Sequence, residues 1–203
     1  MLQAERTFIA IKSESIQRGL IGDFVTRFER RGMKLVACKM VVPTRELMES
    51  HYKKTDEWFL KVGTNKTKYL QEHGVNVAES PIDIGKGVQQ ALVNSFIGKP
   101  VLAMIWEGAN AVALGRKTVG STDPMSADIG SIRGDFTIES QGLAESSDRA
   151  IRTLIHASGS VDEGKDEIAM WFTPAEIIDY PLVLEEVLYG DNWGHCANYQ
   201  DKV

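Results

Sequence analysis

The chain has 203 residues, a length that suits one domain with insertions. Hydrophobic residues make up 43% and charged residues 25%, which excludes general disorder, collagen and coiled-coil classes. Lys and Arg number 23 against 28 Asp and Glu; the net charge of −5 argues against a nucleic-acid grip but allows a small anion held by a few cations.

In chain order, ERTFIAIK at 5–12 predicts a strand, interrupted at Ser13 to Ser15. Leu20, Phe24, Val25 and Phe28 have helical spacing, which predicts a helix over about 19–31 closed by Gly32. KLVACKMVV at 34–42 predicts a second strand that stops at Pro43. Thr44 is a good N-cap, and a helix should run from it to about 60. Residues 61–86 are polar, with turn residues at Gly63, Gly74, Pro81 and Gly85, and predict an irregular stretch with one short helix near 66–73. A helix near 87–97 then leads to VLAMIW at 101–106, a continuous apolar run that predicts a buried strand. A short helix after Gly108, a loop over 115–131 and a strand over 132–138 follow. Ser160 should cap a helix reaching about 171, and a short helical turn after Pro174 precedes a polar tail, 181–203.

Cys38 and Cys196 stand too far apart in sequence for a C-x-x-C pair and are too few for a zinc set, which fits a reducing cytoplasm. No apolar run reaches the ~18–20 residues of a membrane span. MLQAERTFIAIKSES is not expected to act as a signal peptide, because Glu5 and Arg6 precede its short apolar run.

GKGV at 85–88 and GKPV at 98–101 both fail the ending of a P-loop, and no G-x-G-x-x-G or H-E-x-x-H occurs. His156 sits in an apolar stretch and is followed by Ala157, Ser158, Gly159 and Ser160, small residues that allow close approach. Glu167, eleven residues on, lies about two turns into the next helix and could reach back to hold one ring nitrogen. The other nitrogen would then be free as a nucleophile. The spacing alone equally allows a buried structural histidine. His51, His73 and His195 lack the flanking small residues.

The blocks ERTFIAIK, QRGLIGDFVTRFERRGMKLV, HY at 51–52, PVLAMIWEG, GRKTVGST, SIRGDF, LIHASGS and EIAMWF, in that order, closely resemble nucleoside diphosphate kinases over most of residues 5–180. The resemblance implies an α+β fold, a ferredoxin-like α/β sandwich with a four-stranded antiparallel sheet. It implies transfer of a γ-phosphoryl group from a nucleoside triphosphate to a nucleoside diphosphate, by a ping-pong route through a phosphohistidine. It matches His156 to the phosphorylated histidine, Glu167 to the residue that orients that ring, Lys12 to a lysine that positions the phosphate, and Tyr52 to a tyrosine beside the ring. Arg116 and Arg133 match two arginines on the nucleotide phosphates, with Thr122 beside them, and Trp58 or Phe59 would stack on the base.

The same resemblance implies Mg²⁺ carried on the nucleotide phosphates, with no protein metal cage, and a homo-oligomer, a hexamer before a tetramer or dimer. It also points to departures. The usual I-K-P-D is Ile11-Lys12-Ser13-Glu14, an asparagine that contacts sugar and phosphate is Thr153, and a glycine is Ala157. Relative to short members, a single domain over 1–203 carries insertions at about 63–98 and 137–150 and an extended tail, 181–203. Thr153 and Ala157 leave open a catalytically weakened nucleotide-binding or scaffold protein of the same fold. The basic run Arg27, Arg30, Arg31 and Lys34 is the best support for a nucleic-acid role and is more simply a solvated helix face.

Overall fold

The computed structural model describes residues 4–147 and 149–190. Cys196 and His195, and most of the tail, lie outside the described residues.

Four strands form one antiparallel sheet: β1 (Glu5–Ile11), β2 (Lys34–Val41), β3 (Val101–Gly108) and β4 (Ile155–Ala157), in the order β2-β3-β1-β4. β1 lies between β3 and β4, with Phe8 opposite Ile105 and Ala10 opposite His156. This is the ferredoxin-like sandwich. The two-residue period of the strands sorts their side chains onto two cores. Ile9, Ile11, Leu102, Met104, Trp106, Ile155 and Ala157 face α2 (Ile21–Glu29) and α6 (Ala111–Val119). Phe8, Ala10, Val101, Ala103 and Ile105 face the opposite way, toward α3 (Arg45–His51), α5 (Pro81–Phe96) and α9 (Val161–Trp171). Because His156 pairs with Ala10, its ring is on this second face.

The three long strands and α9 fall where the apolar pattern put them. Ser13 to Ser15, expected only to interrupt β1, begin a short helix, α1 (Ser13–Gln17). The single helix expected over 44–60 is two. α3 is capped by Thr44, and α4 (Asp56–Glu72) by Thr55, whose hydroxyl accepts from Trp58 N–H at 3.3 Å. The irregular stretch expected over 61–86 is mostly helix. α4 continues to Glu72, and α5 starts at Pro81, behind a Ser80 cap, rather than near 87. Pro81 is at the first helical position, where its missing N–H costs nothing. Gly63 and Gly85 do not turn the chain. They let α4 and α5 touch backbone to backbone, since a Cβ at Gly63 would strike Pro81 O and one at Gly85 would strike Phe59 O. Val93 and Phe96 of α5 complete the second core.

The strand expected over 132–138 is instead a one-turn helix, α7 (Ile132–Phe136), because the Ser131 hydroxyl caps Gly134 N–H at 3.2 Å. The loop expected from 115 starts only after Val119, since Gly115 is inside α6, against Thr7 and Ile9 of β1. Two short helices, α8 (Gln141–Ser146) and α10 (Leu184–Tyr189), and two 3-10 turns, at Pro124–Ser126 and, as expected after Pro174, at Pro174–Glu176, complete the described chain. Among the described residues no helix is long and apolar enough to cross a membrane.

Candidate active site

β4 has only three residues, and the turn that delivers it is held from several sides. Leu154, just before it, has φ +65°, a left-handed conformation that a leucine rarely adopts. It is the centre of a γ-turn in which Ile155 N–H donates to Thr153 O at 2.7 Å. Its N–H donates to Glu14 Oε1 at 3.2 Å, and its carbonyl accepts from Lys12 N–H at 3.0 Å and the Ser15 hydroxyl at 2.8 Å. Such strain of about 1–3 kcal/mol persists only where neighbours over-determine it. Two of the departing residues thus have visible roles here: Glu14 holds Leu154 N–H, and Thr153 starts the turn.

His156 Nε2 is 2.7 Å from Glu167 Oε1. The Ser158 hydroxyl donates to Glu167 Oε2 at 2.7 Å and accepts from Phe8 N–H at 3.0 Å, so both carboxylate oxygens are occupied. Gly164, Glu167 and Trp171 are the buried residues of α9 and share one face, three and four positions apart. Burial, then Lys12, depresses His156 to about 3, so the ring is neutral at physiological pH. Burial pushes Glu167 up, opposed by His51 and by the Ser158 hydrogen bond. Ala157 faces the other core, away from this cluster, so the extra methyl does not enter the site.

Lys12 is buried and donates to Thr153 Oγ1 at 2.8 Å, with its ammonium 5.0 Å from the Phe96 ring centroid. Burial lowers it to about 8, partly offset by Glu14 and reinforced by Arg133. Arg133, on α7, is also buried. Its Nε donates to Thr153 O (3.0 Å), Nη1 to Gly120 O (2.9 Å) and Ser121 O (3.0 Å), and Nη2 to Ile155 O (2.7 Å). Burial, then Arg116, lowers it to about 10, which leaves it charged at neutral pH. Arg116 is exposed in the last turn of α6 and makes no ion pair or side-chain hydrogen bond among the described residues; Thr122 is exposed just beyond Ser121.

Tyr52 is buried against His51, ring to ring at 4.8 Å and 85°, and its phenol is pushed up by burial and then by Glu167. Phe59 is buried in the α4–α5 contact, whereas Trp58 is half-exposed with Lys54 Nζ 5.9 Å from its ring. Of the two aromatic candidates for the base, only Trp58 therefore offers a free face.

The sequence passed over His51 and Trp171. The His51 ring is 4.7 Å from that of His156, and His51 Nδ1 accepts from the Trp171 indole N–H at 3.2 Å. The signals were there: His51 precedes Tyr52 in a block already noted, and Trp171 is four residues beyond Glu167. His51, His156 and Glu167 bring ligand-type atoms within 4.8 Å of one another. The 2.7 Å approach of Nε2 to Oε1 is a hydrogen bond, shorter than the roughly 3.3 Å that separates ligands around a tetrahedral ion with ~2.0–2.1 Å bonds. Two nitrogens also make it a poor set for Mg²⁺, which prefers oxygen.

The basic run on α2 and β2 is largely committed internally. Arg27 pairs with Asp135, Arg31 donates to Thr118, and buried Lys34 reaches Glu107, Asp179 and Glu185.

A neutral histidine tethered through one nitrogen, with cations ranged around it on a ferredoxin-like sandwich, is suited to phosphoryl transfer. The comparisons with known proteins are specific. The family model for nucleoside diphosphate kinase matches residues 5–74 and 82–177. A nucleoside diphosphate kinase of Pyrobaculum aerophilum is 36% identical over 183 residues, covering 88% of this chain and all of that protein. The crystal structure of an NDP kinase from the same organism superposes with a TM-score of 0.83 at 35% identity, covering 87% of this chain and 100% of that one. A Borrelia burgdorferi nucleoside-diphosphate kinase, solved as a transition-state mimic with bound vanadate and ADP, has a TM-score of 0.76 at 29% identity, covering 94% and 99%. The chain belongs to the nucleoside diphosphate kinase family, and it transfers phosphoryl groups between nucleoside tri- and diphosphates. The non-catalytic alternative is not favoured.

Proposed function

We propose that His156 carries the phosphoryl group on Nδ1. The observation that supports this is the 2.7 Å tie from Nε2 to Glu167, which leaves Nδ1 as the ring's free lone pair. Nδ1 attacks the γ-phosphorus, the bond from that phosphorus to the β,γ-bridging oxygen breaks, and the nucleoside diphosphate leaves. A β-phosphate oxygen of the next nucleoside diphosphate then attacks the phosphorus, and the N–P bond breaks. The Nε2 proton stays on the ring throughout, and Glu167 stabilises the positive charge that develops there. Lys12 and Arg133 face the transferred group as preset cations, and Arg116 and Thr122 hold the outer phosphates. Tyr52 walls the site beside His51. Trp58 stacks on the base, a contact that tolerates every base. Thr153 keeps Lys12 aimed.

The donor set fits Mg²⁺ carried by the substrate: the groups around the pocket are cations and hydroxyls, not a carboxylate cage. When bound, the ion neutralises charge on the phosphates. Lys12, Arg116 and Arg133 supply the remaining positive charge.

The protein is read as a homo-oligomer, a hexamer before a tetramer or dimer. Support comes from exposed apolar side chains at Met40 and Val42 on the edge strand β2 and its exit, and at Ile129 and Ile138. Light scattering after size-exclusion chromatography gives the number. A cytoplasmic location agrees with the free, exposed Cys38 thiol; cell fractionation tests it.

The deciding experiment is incubation with γ-labelled ATP, then acid or alkali. Label that is acid-labile, alkali-stable and chased off by a nucleoside diphosphate is the expected result. Label that survives acid would place the phosphoryl group elsewhere.

A further inference from the structure

The Glu167 carboxylate has a second histidine beside it. His51 Nδ1 is 3.6 Å from Glu167 Oε1, the same oxygen that meets His156 Nε2 at 2.7 Å. A proton on His51 Nδ1 would lie beside that oxygen and could compete for it. The Trp171 indole N–H aims at this Nδ1 from 3.2 Å. An indole nitrogen can only donate, so His51 Nδ1 must accept, and the one proton of a neutral ring must be on Nε2.

We propose that the Trp171–His51 hydrogen bond is a tautomer lock for phosphoryl transfer: it keeps His51 Nδ1 unprotonated and so reserves Glu167 Oε1 for the nucleophile His156. Trp171 and His51 are thus positioning residues, and the proposal rests on His156 being the nucleophile. The ring arrangement agrees. His51 meets His156 edge-on, at 71°, and Trp171 at 88°, with Phe8 and Tyr52 also packed against it, so it has little freedom to turn. The charged or titratable groups around it are Glu167 on α9, His156 on β4, Tyr52 and Lys54 after α3 and Lys12 after β1. Burial, then His156, holds His51 down to about 3, so a neutral ring with a single N–H is the form present.

Trp171→Phe removes the indole N–H and keeps an aromatic ring. His51 can then move its proton to Nδ1 and donate to Glu167, which loosens the His156 ring. The expected result is a phosphoenzyme formation rate about tenfold to a hundredfold lower, the range that misplacing a reacting group costs, with the donor nucleotide Kd unchanged. His51→Phe in the Trp171→Phe background removes the competing proton and should recover most of the rate. A wild-type rate in Trp171→Phe overturns the proposal, and so does a double variant that loses the product of the two single losses. Long-range ¹H–¹⁵N NMR of wild type supplies a test independent of folding. It should find His51 protonated on Nε2 alone; a proton on Nδ1 overturns the lock. Phosphoenzyme chemistry on wild type and His156→Ala, run alongside, tells failure of the lock from failure of the nucleophile reading.

Discussion

The cluster around His156, the proposed nucleophile, and the proposed nucleotide rim are built on opposite plans. Around His156 the groups are buried and already bonded: Glu167 to two partners, Lys12 to Thr153, and Arg133 to four carbonyls. On the rim, Arg116 and Thr122 are exposed and Trp58 is half-exposed. The first set gains rate by needing no rearrangement when charge develops. In the proposed mechanism the second set keeps its polar groups and its free ring face for the nucleotide. Substitutions in the cluster should therefore act on kcat, and those on the rim on KM.

The largest effect is expected at His156, the proposed nucleophile. His156→Ala should leave less than about a hundredth of ADP-to-ATP exchange, since the covalent intermediate can no longer form. Circular dichroism should find the fold intact. Glu167→Gln comes next. It keeps a hydrogen-bond acceptor and loses the charge, so single-turnover phosphorylation should slow by roughly tenfold to a hundredfold with nucleotide affinity nearly unchanged. A loss of affinity at an unchanged rate would erase the distinction between the two plans.

On the rim, Arg116→Ala should raise KM by about tenfold, the equivalent of ~1.4 kcal/mol from a charge-assisted phosphate contact, and leave the melting temperature unchanged. Trp58→Ala should weaken nucleotide binding by ~1 kcal/mol or more through lost stacking. Phe59→Ala should instead cost about 3 kcal/mol of stability through a cavity, with KM little altered. Calorimetry and steady-state kinetics on the pair separate these outcomes.

The smallest effect is on pH dependence. Lys12 has its pKa lowered to about 8, so in the free enzyme it loses its charge as pH rises through that value. Activity as kcat/KM should fall above about pH 8. The kcat should fall later, because bound phosphate raises the lysine pKa again. His156, depressed to about 3, should stay neutral through pH 5, so no acid limb near 6.5 is expected. A pH profile from 5 to 10 shows both, and Lys12→Arg should remove the alkaline limb.

The three long strands and α9 were legible because their apolar periods are long enough to count. β4 was not, because its three residues carry no period. The α4–α5 hairpin was hidden by Gly63 and Gly85, which have the composition of turns and the function of helix contacts; nothing local distinguishes the two uses. Ser80-Pro81 was a readable start signal that the surrounding polar residues masked. IRGDF alternates like a strand, and only the Ser131 cap makes it a helix. Within the site, the resemblance supplied the residues proposed to touch substrate. It did not supply Glu14, Ser158, His51 or Trp171, which act by holding other side chains or the backbone, and whose partners are far away in sequence.

The pairing of Ala10 with His156 carries a further consequence for how this chain can vary in length. Successive strand residues point to opposite faces, so one residue gained or lost between Thr153 and Ser158 would swing the imidazole into the apolar core beside Met104 and Trp106. β4 is only three residues long, so a slip there moves the whole strand. Upstream, the segment from Thr137 to Arg152 has room: α8 packs there through side chains, including a Lys66–Glu145 pair at 3.0 Å. Before Arg152 the chain is tied mainly at Glu139, which holds Arg149 and Arg152 N–H, so added length is best placed in the exposed parts of α8, while within the next half-dozen positions a single indel can move His156 off its face.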